Sequence, residues 1–222
     1  MGKFFDMDSP VMRFLTVMAD LMILNILTII CCIPIFTIGA SLTALNYVLL
    51  KMVRNEEGYI VRSFFKSFKQ NFKQATIIWL IILVFILVFA GDILIFNYAA
   101  MEFPKALKIF LFVLGLFMMM VVVYVFPVLS RFDNTVMNTI KNSLFMSILS
   151  FPKTILMLLI FAVPIVLFYV TPMAVPLIFM FGISVPAYFS AKLYSGTFKK
   201  FEPEEEPVED RFETISENDE VN

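Results

Sequence analysis

The sequence predicts an all-α fold, a polytopic transmembrane helical bundle of about six spans with two interfacial amphipathic helices. The first observation is composition, because the 222 residues are 60% hydrophobic and the mean hydropathy is +0.90. A soluble domain is only about 45–50% apolar, so a core of this size has no room for so much apolar surface. The second observation is that apolar runs of about 20 residues, enough to cross a bilayer, recur along the chain. The third is that polar segments rich in lysine and arginine separate these runs.

The first two spans are predicted to form a hairpin. Residues 13–33 form the first span, and Pro34 ends it because proline breaks the hydrogen-bond ladder and disfavours helix just before it. A turn rich in small residues around Gly39 leads into a shorter second span over 37–53. One long helix across both runs is the alternative, and Pro34 and Gly39 favour the hairpin.

The stretch 60–74 is predicted to be an amphipathic helix in the membrane interface. At about 100° per residue, its phenylalanines fall within one arc of about 100° and its basic side chains within a neighbouring arc of about 60°. The rings would then lie below the lipid headgroups, and the basic side chains would contact anionic headgroups along one edge. The residues for membrane-interface or partner contact are Arg62, Phe64, Phe65, Lys66, Phe68, Lys69, Phe72 and Lys73.

The remaining spans follow from apolar runs of similar length. They are predicted over 75–97, 106–128, 147–170 and 173–195, and the second interfacial helix over the polar segment 131–146. Prolines are expected to kink or end spans because they lack the backbone N–H. These prolines are Pro34, Pro127, Pro164, Pro172, Pro176 and Pro186. In particular, Pro127 should close the fourth span, and Pro176 and Pro186 should break the sixth.

The charge distribution predicts the domains and the orientation. Residues 1–200 form the transmembrane domain, and residues 201–222 form a disordered acidic tail with ten of the eighteen acidic residues. With the N-terminus inside, fifteen of the seventeen basic residues lie on the cytoplasmic side, and only Lys105 and Lys108 lie outside. Both termini are therefore expected in the cytoplasm. Merging the first two spans would instead place the N-terminus outside.

An internal repeat is a further prediction. An offset of 72 residues, which aligns Phe64 with Val136, superimposes the two polar segments, and each runs directly into a span. A unit of span, interfacial helix and span would then occur twice in one orientation, as in many transporters built from repeats. The alternative is that any interfacial helix before a span has this pattern.

Three polar residues inside the predicted spans form a candidate intramembrane polar site: Asp20, Asn25 and Asn46. An ionisable group within a bilayer is a functional candidate because its burial there costs several kcal/mol. Asp20 could take part in a proton or cation relay, and a structural hydrogen-bonding role is the alternative. Asp20 and Asn25 point about 140° apart on a helix, so they do not share one face.

The composition argues against catalysis. The chain has no histidine, the side chain that most often serves as a general base or metal ligand. Its two cysteines, Cys31 and Cys32, are adjacent in an apolar run, which is typical of packing. No phosphate-binding glycine loop and no nucleophile–base motif occurs. The chain is therefore not expected to be an enzyme or to bind a metal or a cofactor. Nucleic acid is not expected either, because the phenylalanines at helical spacing in the basic helix fit anionic lipid headgroups better.

A series of spaced residues resembles a known family. The series is Ala19-Asp20-Leu21, Asn25, Pro34-Ile35, Thr37, Gly39-Ala40-Ser41, Thr43-Ala44-Leu45, Tyr47, Lys51-Met52-Val53-Arg54, Glu56-Glu57-Gly58-Tyr59 and the run 63–74. Over about residues 14–80 it is similar to the YesL-like family of bacterial integral membrane proteins, a domain of unknown function. The C-terminal half resembles that family only in hydropathy. The resemblance implies a bacterial cell-membrane protein encoded near carbohydrate ABC-transport systems, and it supplies no catalytic residue.

Two functions remain open from the sequence. The first is an integral membrane protein that is accessory to a carbohydrate ABC-transport system and contacts its permease or ATPase subunits through the helix at 54–74 and the acidic tail. The alternative is a small-solute transporter in its own right, with an intramembrane Asp/Asn site. The sequence defines no solute, no particular partner and no oligomeric state.

Overall fold

The computed structural model describes residues 10–56, 58–98 and 104–202. Nearly all of the predicted acidic tail, most of the loop after the third span and the first nine residues lie outside the described residues.

The described residues form eight α-helices and no strand, which confirms the predicted all-α class. The helices are α1 (Pro10–Cys32), α2 (Ile38–Arg54), α3 (Ile60–Tyr98), α4 (Lys105–Arg131), α5 (Val136–Leu149), α6 (Phe151–Val170), α7 (Val175–Phe181) and α8 (Ser184–Phe198). Five of them are long and apolar enough to cross a membrane, and α7 with α8, bent by 46°, makes a sixth if the pair counts as one span. Short 3-10 turns, Ile35–Thr37 and Pro172–Ala174, precede α2 and α7.

The predicted hairpin at Pro34 is confirmed. Pro34 is extended, with φ −75° and ψ 118°, so α1 does not continue into α2. The Thr37 hydroxyl donates to the carbonyl oxygens of Cys31 and Pro34 at 2.6 Å each. The bond to Cys31 satisfies a carbonyl group in the last turn of α1, which the end of the helix leaves without a helical partner.

Small residues bring α2 against α3. A Cβ atom at Gly39 would overlap the Ala75 carbonyl oxygen, so this crossing requires glycine. Beside it, the Trp79 indole N–H donates to the Ile35 carbonyl oxygen at 2.7 Å. The turn between α1 and α2 therefore lies beside Trp79. From there α3 continues for about 28 Å to Tyr98, at about 1.5 Å per residue.

The core surrounds α2. In the most apolar 18-residue stretch of the segment that contains it, 61% of the residues are buried, against 28% or less in the corresponding stretches of the other four candidate spans. Four large side chains, Phe64, Tyr124, Tyr194 and Phe198, are fully buried in this core. The helices around α2 turn their apolar outer faces away from the protein, as helices that contact lipid do.

The interfacial helix predicted over 60–74 is not separate from the following span. The two form a single helix, α3, of 39 residues. No proline or glycine lies between Ile60 and Ala90, and Lys, Gln and Ala favour helix. The change from polar to apolar sequence therefore does not end the helix.

The second interfacial helix is separate, as α5. Thr135 caps its N-terminus by accepting a bond from the Asn138 N–H at 3.4 Å. It ends at Ser150, and α6 begins with a proline in its first turn. That proline, Pro152, has no N–H with which to continue the ladder of α5. The two halves of the predicted repeat therefore differ at this junction.

Three proline predictions need correction. α4 continues through Pro127 to Arg131 instead of closing there. The last span breaks at Gly182–Ile183, not at Pro176 or Pro186. Each of those two prolines lies in the first turn of its helix, where a missing N–H costs no intrahelical bond.

Candidate functional site

The predicted interface residues lie on the first half of α3, and most of them are exposed. Arg62, Lys66, Lys69 and Lys73 all point to the outside of the protein. Phe65 and Phe72 are 39% and 37% exposed. We call these six residues the basic face.

The prediction that four phenylalanines face the membrane is wrong for Phe64. Its side chain is fully buried in the core around α2. The Phe64 and Phe68 rings stack with centroids 6.3 Å apart, and Phe68 is half-buried. The helix therefore uses part of its aromatic arc to pack on α2, and Phe65 and Phe72 remain at the surface.

Asn25 is fully buried at the break between α7 and α8. Its Nδ2 donates to the Phe179 carbonyl oxygen at 2.7 Å. Its Oδ1 accepts from the backbone N–H groups of Ile183 at 2.9 Å and Ser184 at 2.8 Å. In a continuous helix the Ile183 N–H would bond to the Phe179 carbonyl. The Asn25 amide replaces that bond, and such an insertion is a recognised cause of a helix kink.

Asn46 contacts the last span at a different place. The Tyr194 hydroxyl donates to its Oδ1 at 3.1 Å, and its Nδ2 donates to the Leu42 carbonyl oxygen at 2.8 Å. Asp20 is half-buried, and among the described residues it forms no hydrogen bond or ion pair. The structure therefore does not bring the three predicted polar residues together.

A charged cluster that sequence reasoning missed joins the ends of three helices. The Glu202 carboxylate accepts two hydrogen bonds from Arg54, at 2.7 and 2.9 Å. It accepts two more from Arg131, at 2.9 and 3.2 Å. Arg54 ends α2, Arg131 ends α4, and Glu202 follows α8. We call these three residues the Glu202 clamp, and the end of the bundle that it occupies the basic end.

The clamp favours the ionised form of the Glu202 carboxyl group. Burial alone would raise the pKa of its carboxyl group. The hydrogen bonds and positive charges of Arg54 and Arg131 outweigh burial and lower the pKa from 4.5 to about 2. The Arg54 side chain is only 8% exposed, so this pair is shielded from solvent more than a surface ion pair is. Sequence reasoning assigned Glu202 to the disordered tail. The signal that could have placed it is that two arginines lie in the last turns of helices, where they can pair with a carboxylate.

A large apolar cavity lies between α3 and α4. Its volume is about 1040 Å³, and residues of α2, α6 and α8 complete its wall. Its lining follows α3 from Trp79 to Phe96 and α4 from Lys108 to Pro127. Asn46, Ser190 and Tyr194 line it as well, whereas Asp20 and Asn25 do not. Sequence reasoning did not predict this cavity, because it depends on how five helices are arranged relative to one another.

These features define a class of protein, a multi-pass helical membrane protein. The family described as "Protein of unknown function, DUF624" matches residues 21–93. The matched region runs from within α1 to near the end of α3, and it includes Asn25, Asn46 and the basic face. No curated protein matches the chain. No solved structure matches it.

Proposed function

We propose that this protein is an accessory component of a carbohydrate ABC-transport system in a bacterial cell membrane. It would hold a permease or ATPase subunit through the basic face of α3. The observation that carries this proposal is that four basic side chains stand exposed in one row with two exposed aromatic rings. The resemblance to the YesL-like family supplies the class of partner.

The chemistry of the basic face suits a charged partner. Its basic residues recur at intervals of three or four positions, so they occupy one side of the helix over about 16 Å. A row of like charges attracts an acidic surface and sets the register of docking. Aromatic rings at the edge supply apolar contact area, as in many interfaces. We also propose that anionic lipid headgroups contact this row, because basic side chains beside a bilayer attract them.

We further propose that the basic end and both chain termini lie in the cytoplasm. Among the described residues, Lys105 and Lys108 are the basic residues placed at the far end of the α3–α4 hairpin. Basic residues concentrate on the cytoplasmic side of membrane proteins. This orientation presents the basic face to cytoplasmic ATPase subunits and to the inner leaflet.

Co-purification tests the accessory role. The tagged protein is purified in a gentle detergent from its own membranes, and co-purifying proteins are quantified by mass spectrometry. A variant combines Arg62→Glu, Lys66→Glu, Lys69→Glu and Lys73→Glu, and a matched control combines Lys105→Glu and Lys108→Glu. We expect sugar-permease or ATPase subunits to co-purify with the wild type and with the control. With the variant we expect at least about tenfold less of these subunits, which corresponds to a loss of about 1.4 kcal/mol of binding free energy. Recovery of the protein without such subunits, or equal recovery with all forms, contradicts the proposal.

A small-solute transporter is the alternative that the sequence leaves open. The polar geometry does not favour it, because Asn25 uses its side chain to pair backbone groups at a helix break. Asp20 does not line the large cavity either. Flux measured in liposomes with Asp20→Asn tests this alternative. A relay through Asp20 requires that the variant abolish transport, and unchanged flux rejects it.

A further inference from the structure

The basic face of α3 has no acidic partner among the described residues. Its four basic side chains are exposed and follow one another over about 16 Å of helix. The ion pairs found in this part of the chain belong to the Glu202 clamp and use Arg54 and Arg131 instead. Like charges three or four positions apart on a helix repel one another, so an anionic occupant would stabilise the row.

The chain itself carries a strongly acidic segment directly after the clamp. This segment, residues 203–222, lies outside the described residues, and its sequence contains nine acidic residues and one basic residue. It therefore holds half of the eighteen acidic residues of the protein. We call it the acidic segment. Its charge is opposite to that of the basic face, and electrostatic complementarity of this kind favours association.

The clamp places the start of the acidic segment near the beginning of α3. Arg54, which holds Glu202, ends α2. The connection from α2 to α3 is compact, because a Cβ atom at Gly58 would lie 3.4 Å from Ser63 Oγ and 3.8 Å from Lys51 Nζ. The last turn of α2 and the first turn of α3 therefore lie side by side.

The clamp also lies near the other end of the basic face. Arg131, the second arginine that holds Glu202, is three residues before Asn134, which corresponds to at most about 11 Å of chain. The Asn134 carbonyl oxygen accepts a hydrogen bond from Gln74 Nε2 at 3.1 Å. Gln74 directly follows Lys73, the last basic residue of the face.

The acidic segment is long enough to reach the row and to follow it. Twenty residues extend for up to about 66 Å, at about 3.3 Å per residue. The basic side chains lie on the side of α3 opposite the buried Phe64, so the segment has to pass around the helix. Half the circumference of a helix about 11 Å wide is about 17 Å, and the row itself adds about 16 Å.

We propose that the acidic segment binds the basic face of α3 in its own chain and competes there with other anionic occupants. Because two arginines hold Glu202, the segment starts at a defined place. The covalent tether raises its effective concentration to the order of millimolar, an advantage that a second copy of the chain does not have. The contact does not depend on a transport partner, whereas its competition with a permease or ATPase subunit rests on the proposed function.

A distance measurement on the full chain tests the contact. Spin labels are attached at Gln70→Cys, which is exposed beside the basic face, and at Ser216→Cys in the acidic segment, on a Cys31→Ser/Cys32→Ser background. The protein is placed in nanodiscs of phosphatidylcholine, which has no net negative charge. Pulsed electron paramagnetic resonance should give one narrow distance distribution. Salt at 1 M should broaden it, because the screening length falls to about 3 Å.

Charge reversal distinguishes the basic face from other bases near the clamp. The reversal variant combines Arg62→Glu, Lys66→Glu, Lys69→Glu and Lys73→Glu, and it should broaden the distribution as 1 M salt does. The matched control combines Lys199→Glu and Lys200→Glu, at two exposed bases close to Glu202 but outside the face. It should keep the narrow distribution.

Three results would reject the contact. The first is a broad distribution in the wild type, and the second is equal broadening by the reversal variant and its control. The third is loss of the narrow distribution on mixing with about a tenfold excess of cysteine-free protein, which would show that the segment binds a second copy. A variant in which the nine acidic residues become their amides repeats the test without changing α3, and it should also give a broad distribution.

Co-purification from native membranes tests the competition. If the acidic segment covers the face about two-thirds of the time, the amide variant should capture about threefold more permease or ATPase subunits than the wild type. The control exchanges Glu and Asp throughout the segment, which keeps its charge, and should match the wild type. Unchanged capture by the amide variant rejects the competition. If no form captures a subunit, the proposed function fails, and the distance measurement alone decides the contact.

Discussion

At the break between α7 and α8, the Asn25 side chain occupies the backbone groups that a continuous helix would pair with each other. It bonds to the Phe179 carbonyl and to the N–H groups of Ile183 and Ser184. Inside a membrane no water replaces a lost partner, so unpaired backbone groups there are costly. One polar residue in the first span thus stabilises an irregular segment of the last.

Replacing Asn25 with leucine should therefore destabilise the fold. Asn25→Leu removes three hydrogen bonds and should cost at least about 2 kcal/mol. The control is Asn71→Leu, because Asn71 bonds only within its own helix, to Ser67 at 3.1 Å, and should cost about 0.5 kcal/mol or less. Thermal melting in detergent measures both. Equal melting temperatures for the two variants would contradict the role of Asn25.

The Glu202 clamp makes a pH-dependent contribution to stability. Its pKa in the folded protein, about 2, is below the ordinary value of 4.5. The contribution is therefore complete above pH 4.5 and is lost as the pH falls towards 2. Glu202→Gln should cost about 1–3 kcal/mol at pH 7, and its melting temperature should converge with that of the wild type at the acidic end of this window. Glu56→Gln, at an exposed carboxylate, is the control and should melt like the wild type at pH 7. If the melting temperature of Glu202→Gln does not converge with that of the wild type at acidic pH, the role of the clamp is contradicted.

For these individual residues, the sequence indicates which positions are unusual but not which groups they contact. Asn25 stands out as a polar residue in an apolar run, yet its partners are backbone groups more than 150 positions away. Glu202 lies among many acidic neighbours, and only the convergence of α2, α4 and α8 distinguishes it.

The elements were largely predictable because their signal is local. Length and hydropathy determine whether a segment can cross a bilayer, and Pro34 correctly marked the α1–α2 turn. The boundary inside α3 was wrong because a change in polarity does not interrupt a helix. The break at Gly182–Ile183 was wrongly assigned to prolines because it depends on a tertiary contact with Asn25.

The continuity of α3 gives a distance prediction. Spin labels at Arg62→Cys and Ile95→Cys, on a Cys31→Ser/Cys32→Ser background, should lie about 50 Å apart along one straight helix. A right-angled bend at Ala75, as expected for an interfacial helix joined to a span, would bring them to about 36 Å. Pulsed electron paramagnetic resonance in nanodiscs distinguishes these values. The shorter distance would mean that α3 is not continuous and that a separate interfacial helix precedes the span.

The two helical hairpins, α1–α2 and α3–α4, differ in how far they extend along the bundle. The α1–α2 turn lies beside Trp79, whereas α3 and α4 continue past it for about 28 Å. The cavity occupies this extension, and the clamp closes the opposite, basic end. Sequence reasoning could not predict this arrangement, since the length of each apolar run does not say how deeply its helix lies relative to the others.

The proposed orientation predicts cysteine accessibility. On the background without native cysteines, Lys105→Cys should react with a membrane-impermeant maleimide in intact cells. Lys69→Cys should react only after the membrane is permeabilised, because we place the basic face in the cytoplasm. Both lysines are exposed, so burial does not distinguish them. The reverse pattern of labelling would mean that the protein has the opposite orientation in the membrane.

Site-specific photocrosslinking in living cells tests most directly whether the basic face of α3 holds a protein partner. A benzophenone amino acid is placed at Lys69 on that face, and in a matched strain at Lys105, which is also exposed but lies at the opposite end. We expect Lys69 to crosslink to a subunit of a transport system, identified by mass spectrometry, and Lys105 not to do so. Lipid adducts alone at Lys69, or the same protein adducts from both positions, would contradict the claim that this face is a docking surface.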